Sequence, residues 1–246
     1  MKASFLSVAV WWAVFSIPLF RGVSEPAVRL DPDEVREGSA VRAAFVRLGH
    51  TFREIRRYRH AFLFFLSMLL YQDGIQTIIR MAAVFGAEIG IEQTSQIAAF
   101  VMVQFLGIPF AFLFGSLGAR IGTKRAIFIA IGVYALATVL AFFMKTVTHF
   151  FILAFLIAMV QGGAQALSRA LFARLIPRDR TSEFFGFFAV AERFATVFGP
   201  AIFTISVMVT GRSQSAILAI LGLFIAGAWV LTMVDEEEGM RAALNQ

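Results

Sequence analysis

The sequence has no cysteine. That removes disulfides, a thiolate nucleophile and any Cys-ligated metal from consideration. Charge is scarce: Asp, Glu, Lys and Arg together make up 15% of 246 residues, against about 25% in soluble domains. Histidine occurs three times, at 50, 60 and 149, too scattered along the chain to predict a metal site. Acidic groups are outnumbered, and the net charge is +6. No HExxH, GxSxG or P-loop pattern is present; the stretch at 118–124 is one residue short of a P-loop. What fills the chain is apolar: 59% from the hydrophobic set, with 29 phenylalanines. A soluble domain of this size could not cover that surface, and a disordered chain would not carry it. These balances exclude an ordinary soluble enzyme, and no cofactor is called for.

A hydrocarbon core needs about 20 apolar residues of helix. Seven segments approach this, over 3–20, 61–85, 95–117, 126–144, 149–172, 184–210 and 214–234. The basic residues separate by side. The 21–60 segment holds nine arginines, 118–125 holds Arg120, Lys124 and Arg125, and 169–180 holds Arg169, Arg174, Arg178 and Arg180. With Arg241, these make 17 of the 22 Lys and Arg residues. The positive-inside rule places that side in the cytoplasm, the N-terminus outside and the C-terminus inside. A cleaved signal peptide at the start would export the nine-arginine segment, and Trp11, Trp12 and Pro18 suit one poorly. The expectation is an integral membrane protein, in a bacterial inner membrane. The positive charge is then a topology signal facing the lipid bilayer and not a nucleic-acid groove.

Residues 21–38 are polar and read as an irregular linker. Over 39–59, Val41, Phe45, Leu48, Phe52 and Ile55 recur at helical spacing, with arginines on the other faces and Ser39 as N-cap. This predicts an amphipathic helix at the cytoplasmic interface. An arginine-rich loop that only sets topology is the plainer alternative. The last residues, 235–246, form a cytoplasmic tail.

Polarity has a three-helix rhythm. Spans 3–20, 126–144 and 214–234 are almost wholly apolar. The other four carry Asp73, Gln76 and Arg80; Gln104; Gln161, Gln165 and Arg169; and Glu192 and Arg193. Such groups face a bundle interior or an aqueous cavity, which makes every third helix peripheral, as in the tandem repeats of a transporter half. We take these nine residues as the substrate or ion pathway. Asp73, near the middle of its span, is a proton or cation site, with Arg80 or Arg193 as counter-charge and a meeting of Asp73 with Arg193 at similar depth. The bland alternatives are salt bridges that fix helix register and glutamines that act as interhelical glue. Gly107 with Pro109, Gly162–Gly163, and Gly199–Pro200 are expected to interrupt their helices.

The segment GSLGARIGTKR over 115–125 resembles the G-x-L-x-D-R-x-G-R-[KR]-[KR] loop between helices two and three of each half of the major facilitator superfamily. Gly115, Arg120, Gly122, Lys124 and Arg125 match that gating loop; Ala119 replaces its Asp, so the Asp-dependent charge relay is not carried over. WWAVFSIPLF over 11–20, YQDGIQTI over 71–78, VFGAE over 84–88, QGGAQALSR over 161–169, IP at 176–177 and EFFG over 183–186 are similar to the vacuole-effluxer branch, also called the unknown-major-facilitator family. The resemblance implies an all-α membrane protein: the six-helix C-terminal half of a major facilitator bundle plus one preceding transmembrane helix. It implies helix six over 1–20, the central loop over 21–60 and helices seven to twelve over 61–234. It further implies a transporter, not an enzyme, moving an amino acid or small metabolite by alternating access, with proton coupling as an option. Such a half needs a partner, either an N-terminal half chain or a second copy. The competing class is a non-transporting fragment or membrane assembly subunit.

Overall fold

A computed structural model describes residues 2–22 and 40–244. The predicted linker, and Ser39 as N-cap, lie outside the described residues, as do the side chains of Val41 and Phe45. Ten α-helices follow one another among the described residues: α1 (Lys2–Gly22), α2 (Ala40–Ile55), α3 (Arg59–Glu88), α4 (Gln93–Ile121), α5 (Thr123–Phe142), α6 (Val147–Leu175), α7 (Thr181–Ala195), α8 (Phe198–Thr210), α9 (Ser213–Thr232) and α10 (Glu236–Leu244), with a 3-10 turn at Arg178–Arg180. Seven stretches are long and apolar enough to cross a membrane, α7 and α8 together making one. The chain is an all-α membrane protein.

Contacts divide it into two units, Met1–Arg47 and Leu48–Gln246. In the first, α1 stacks Trp11 on Phe15 one turn later, ring centroids 4.7 Å apart. In the second, α3 runs through the core, broadly packed on α9, while α4 lies along α6. Lipid tails are as apolar as leucine, so these helices are held by close packing and internal hydrogen bonds, not by expulsion of water. Phe65 of α3, Phe172 of α6, and Phe185, Phe187 and Phe188 of α7 join in one aromatic cluster. The later part of α2 rests on this end of the bundle. Thr51 and Ile55 are buried, and Phe52 touches Phe62 and Phe187. Part of its apolar stripe is therefore spent on protein contact.

Two expected interruptions are absent. α4 continues through Gly107 and Pro109, and α6 through Gly162 and Gly163. The paired glycines instead let α6 touch α4. A Cβ on Gly162 would stand 2.9 Å from that of Ala111, and one on Gly163 would overlap the Phe114 side chain. The third interruption is real but falls earlier, at Thr196–Val197, where α7 gives way to α8. The predicted gating loop is also mostly helix. α4 runs to Ile121 and α5 starts at Thr123, leaving Gly122 as the link. Its φ of +95° is one that favours glycine.

The apolar helices α5 and α9 are better covered than expected of peripheral ones, with 39% and 44% of their apolar windows buried. For α4 and α7–α8 the shares are 11% and 12%. Two of the four polar spans, α4 and α7–α8, have little to lean on in this chain, whereas the polar α3 and α6 are buried as well as the apolar helices are.

Three buried hydroxyls tie the helices together. Ser67 Oγ donates to the Gly227 carbonyl at 2.7 Å, tying α3 to α9. Ser168 Oγ donates to the Ala164 carbonyl at 2.5 Å, so the 2.6 Å bond between it and Tyr71 must have the tyrosine as donor. Ser168→Ala should therefore strand a buried phenol and cost about 1–3 kcal/mol. Tyr71→Phe, which removes the orphan with its donor, should cost less. Thermal unfolding of both variants in detergent checks the order, and equal losses would refute it.

At the end of the bundle that carries α10, Lys124 holds α9. Its Nζ donates to the carbonyls of Val234 at 2.6 Å and Thr232 at 3.3 Å, where a cation offsets the negative helix end. The Lys124 amide donates to Glu236 Oε1 at 3.0 Å. Asp235 caps α10: its Oδ1 accepts the Glu238 amide at 2.9 Å, and its own amide donates to His60 Nδ1 at 2.9 Å. The Glu238 amide holds the Asp235 carboxyl below the ordinary carboxylate range, helped by the Glu237 amide and the charge of Lys124. A depressed carboxyl stabilises above its unfolded value, near 3.9, and this is lost as pH falls through the folded value. Amide protection of α10 should drop in acid below that point. In Asp235→Asn it should change little with pH over the same range.

Candidate functional site

Halfway along α3 lies Asp73, and halfway along the α7–α8 span lies the break. The two meet at one depth. α7 ends in closed hydrogen bonds: the Thr196 amide donates to the Glu192 carbonyl at 3.3 Å, the Val197 amide to Phe194 at 3.3 Å, and Thr196 Oγ1 to Arg193 at 2.8 Å. α8 then restarts at Phe198, with Pro200 in its first turn supplying no amide proton.

Gly199 of α8 rests directly on α3. A Cβ there would stand 2.9 Å from Asp73 Oδ1 and overlap Thr77 Oγ1. Asp73 and Thr77, one turn apart, are 3% and 0% exposed. Neither Asp73 Oδ1 nor Thr77 Oγ1 has a hydrogen-bond partner among the described residues. Buried polar atoms are nearly always satisfied, so two orphans at one contact call for a reason. Half-helices that meet at membrane mid-depth are a recurrent way of building ion and substrate sites.

The other pathway residues spread around this point. Gln76 is half-buried and Arg80 exposed on α3. Gln104 and Gln161 come together at a cavity of about 200 Å³, otherwise lined by apolar side chains of α3, α4, α5, α6 and α9. Gln165 and Glu192 are half-buried, Arg169 and Arg193 exposed. The expected meeting of Asp73 with Arg193 is not made: no ion pair joins Asp73 to Arg193 or Arg80 among the described residues. Packing of Gly199 onto α3 puts the backbone of α8, not the arginine of α7, against the carboxylate. In the short link between α4 and α5, Lys124 is engaged as described, and Arg120 and Arg125 are exposed.

Thr77 was not singled out in the sequence, and Gly199 only as part of an expected helix interruption. A threonine one turn after an aspartate, opposite a Gly–Pro step in another span, is the only trace they leave. His50, Glu54 and Glu183 bring donor atoms within 4.8 Å of one another. Glu54 is paired with Arg180, and Thr51 Oγ1 donates to Glu183 at 2.6 Å. These partners account for the cluster as a charge network between α2 and α7.

The model of the family described as "Vacuole effluxer Atg22 like" matches residues 1–244. An MFS-type transporter, YxiO of Bacillus subtilis, is 37% identical across 100% of this chain and 56% of its own length. Autophagy-related protein 22 of Yarrowia lipolytica is 27% identical over 99% of the chain and 46% of its own length, and that of Saccharomyces cerevisiae 21% over 99% and 52%. The chain thus spans about half the length of the curated relatives it matches. Matched almost from end to end by the family model, this chain belongs to the Atg22-like vacuole effluxer family of membrane transporters.

Proposed function

We propose that the chain supplies the C-terminal half of a secondary transporter that exports an amino acid or similar small metabolite by alternating access. The carrying observation is the set of charged and amide side chains exposed within the spans: Arg80 on α3, Gln104 on α4, Arg169 on α6 and Arg193 on α7. A charge at the bilayer centre costs roughly 2.5–3.5 kcal/mol on insertion scales. Such groups belong against a second half or a water-filled cleft between halves, and the sparse cover of α4 and α7–α8 fits the same reading. The partner is an N-terminal half, on a separate or longer chain, or a second copy. Lys and Arg counts orient the assembly in the bacterial inner membrane with the α10 end in the cytoplasm.

The chain should be reconstituted in liposomes alone and with the half that its longer relatives carry upstream. Counterflow of labelled amino acids with the pair, lost on omitting either half, is the expected result. Counterflow by the chain alone would favour the second copy as partner. No flux in any combination would leave a membrane fragment or assembly subunit and sink the transport reading.

A further inference from the structure

We infer that the cavity shared by Gln104 and Gln161 is a binding site for an uncharged, mostly apolar small molecule that carries a hydrogen-bonding group. The cavity, of about 200 Å³, lies in the half of the bundle away from α10, among the later part of α3, the earlier parts of α4, α6 and α9, and the end of α5. Protein interiors are close-packed, and a void costs stability in proportion to its volume unless something fills it. An apolar cavity of about 150 Å³ stays dry and takes up benzene, so this one has room for a substituted ring. No acidic or basic side chain lines it. An ionised guest finds no counter-charge there, so the zwitterionic amino acid proposed as cargo is not its occupant. Asp73, Thr77 and Gly199 do not line it either. The site goes beyond the transport reading and does not depend on it.

The two glutamines set this cavity apart from a packing defect. Neither side chain makes a hydrogen bond to another described residue, and an amide carries both donors and an acceptor. α4 and α6 run side by side in a fixed register, with the Phe100 ring near that of Phe150 and Ala111 against Gly162. That register puts Gln104 near the level of Ala154 and Gln161 seven residues deeper, about 10 Å by helical rise. The cavity therefore offers an unspent amide at two depths and hydrocarbon between them. A hydroxyl, carbonyl or amide on an apolar body matches that arrangement. Water satisfies the amides but gains nothing from the apolar wall. Entry lies between α3 and α4. Both line the cavity yet scarcely touch each other, and on the α4 side Phe100 and Gln104 are exposed. An apolar pocket with a few placed polar groups is the usual form of a small-molecule site.

A photoreactive probe reads the site directly. The full chain in liposomes should be irradiated with a diazirine-bearing benzyl alcohol and the adducts mapped by peptide mass spectrometry. Saturable labelling of lining residues such as Met144 and Phe150 is expected. Unlabelled benzyl alcohol should suppress it, toluene more weakly, and benzoate not at all. Ala154→Leu, which fills the cavity from its wall, should abolish these adducts; Ala141→Leu does the same from α5 and serves if the first variant does not accumulate. Gln161→Leu should weaken competition by benzyl alcohol roughly two- to tenfold, the worth of one hydrogen bond, and leave that by toluene unchanged. Adducts confined to lipid-facing side chains such as Phe105 and Phe112 would overturn the proposal. So would lining adducts that persist in the filled variants, or that benzoate suppresses as well as the alcohol does. Equal competition by benzyl alcohol and toluene in the parent chain would leave the glutamines without a part and overturn it too.

Discussion

Gly163→Val should destabilise the folded protein markedly. The Cβ of any side chain at this position would overlap three atoms of Phe114, itself buried on α4. The contact is closed on both sides: Gly162, the next residue, is already against Ala111, and Phe114 is buried. Overpacking of a tight interior costs about 1–3 kcal/mol, occasionally more, and valine adds two further methyls beyond the first clash. Against a total stability of roughly 5–15 kcal/mol, a loss at the top of that range should lower the melting temperature sharply and reduce the yield from membranes. Gly132→Val and Gly222→Val are the controls, because nothing lies within 4 Å of a Cβ at either place. Equal melting temperatures for all three would show that α4 and α6 are not held by this contact.

The second large effect is functional. In vesicles carrying the chain with its complementary half, Asp73→Asn should abolish substrate accumulation driven by a pH gradient and spare exchange of substrate for substrate. The amide keeps the size of the carboxylic acid, so the packing of Gly199 of α8 against α3 is retained. What it cannot do is release a proton. Substrate can then exchange without a proton being carried, and the gradient has nothing to push. Gradient-driven accumulation that survives unchanged in the variant would reduce Asp73 to a packing residue.

The spans were legible because about 20 apolar residues in a row have few other uses, and the polar rhythm drew attention to Asp73, Gln104 and Gln161 for the same reason of cost. Gln104 and Gln161 do share a cavity. Close approach was harder to read. Gly162–Gly163 and Gly107 look alike in a sequence, yet a Cβ on Gly107 would meet nothing within 4 Å while one on Gly163 would overlap an aromatic ring. Only the position of the neighbouring helix separates them. The same limit hid Thr77: a threonine in an apolar helix usually bonds to its own backbone, as Thr138 does to Tyr134 here, and that the Thr77 hydroxyl lacks a partner among the described residues is visible only in the structure. The break at Thr196–Val197 preceded its Gly–Pro signal because proline deprives the turn before it of support, not the turn after. The pairing of Asp73 with Arg193 failed for a related reason. Depth along two helices can be counted in a sequence, but rotation about their axes cannot.

The one-residue link at Gly122 also bears on how the protein is made. α4 ends at Ile121 and α5 begins at Thr123, so the chain has no slack with which to park one helix in the bilayer while the next is still being synthesised. The expected consequence is that the two insert as one hairpin. Lys124 and Arg125 lie at its tip, and basic residues there resist crossing the bilayer.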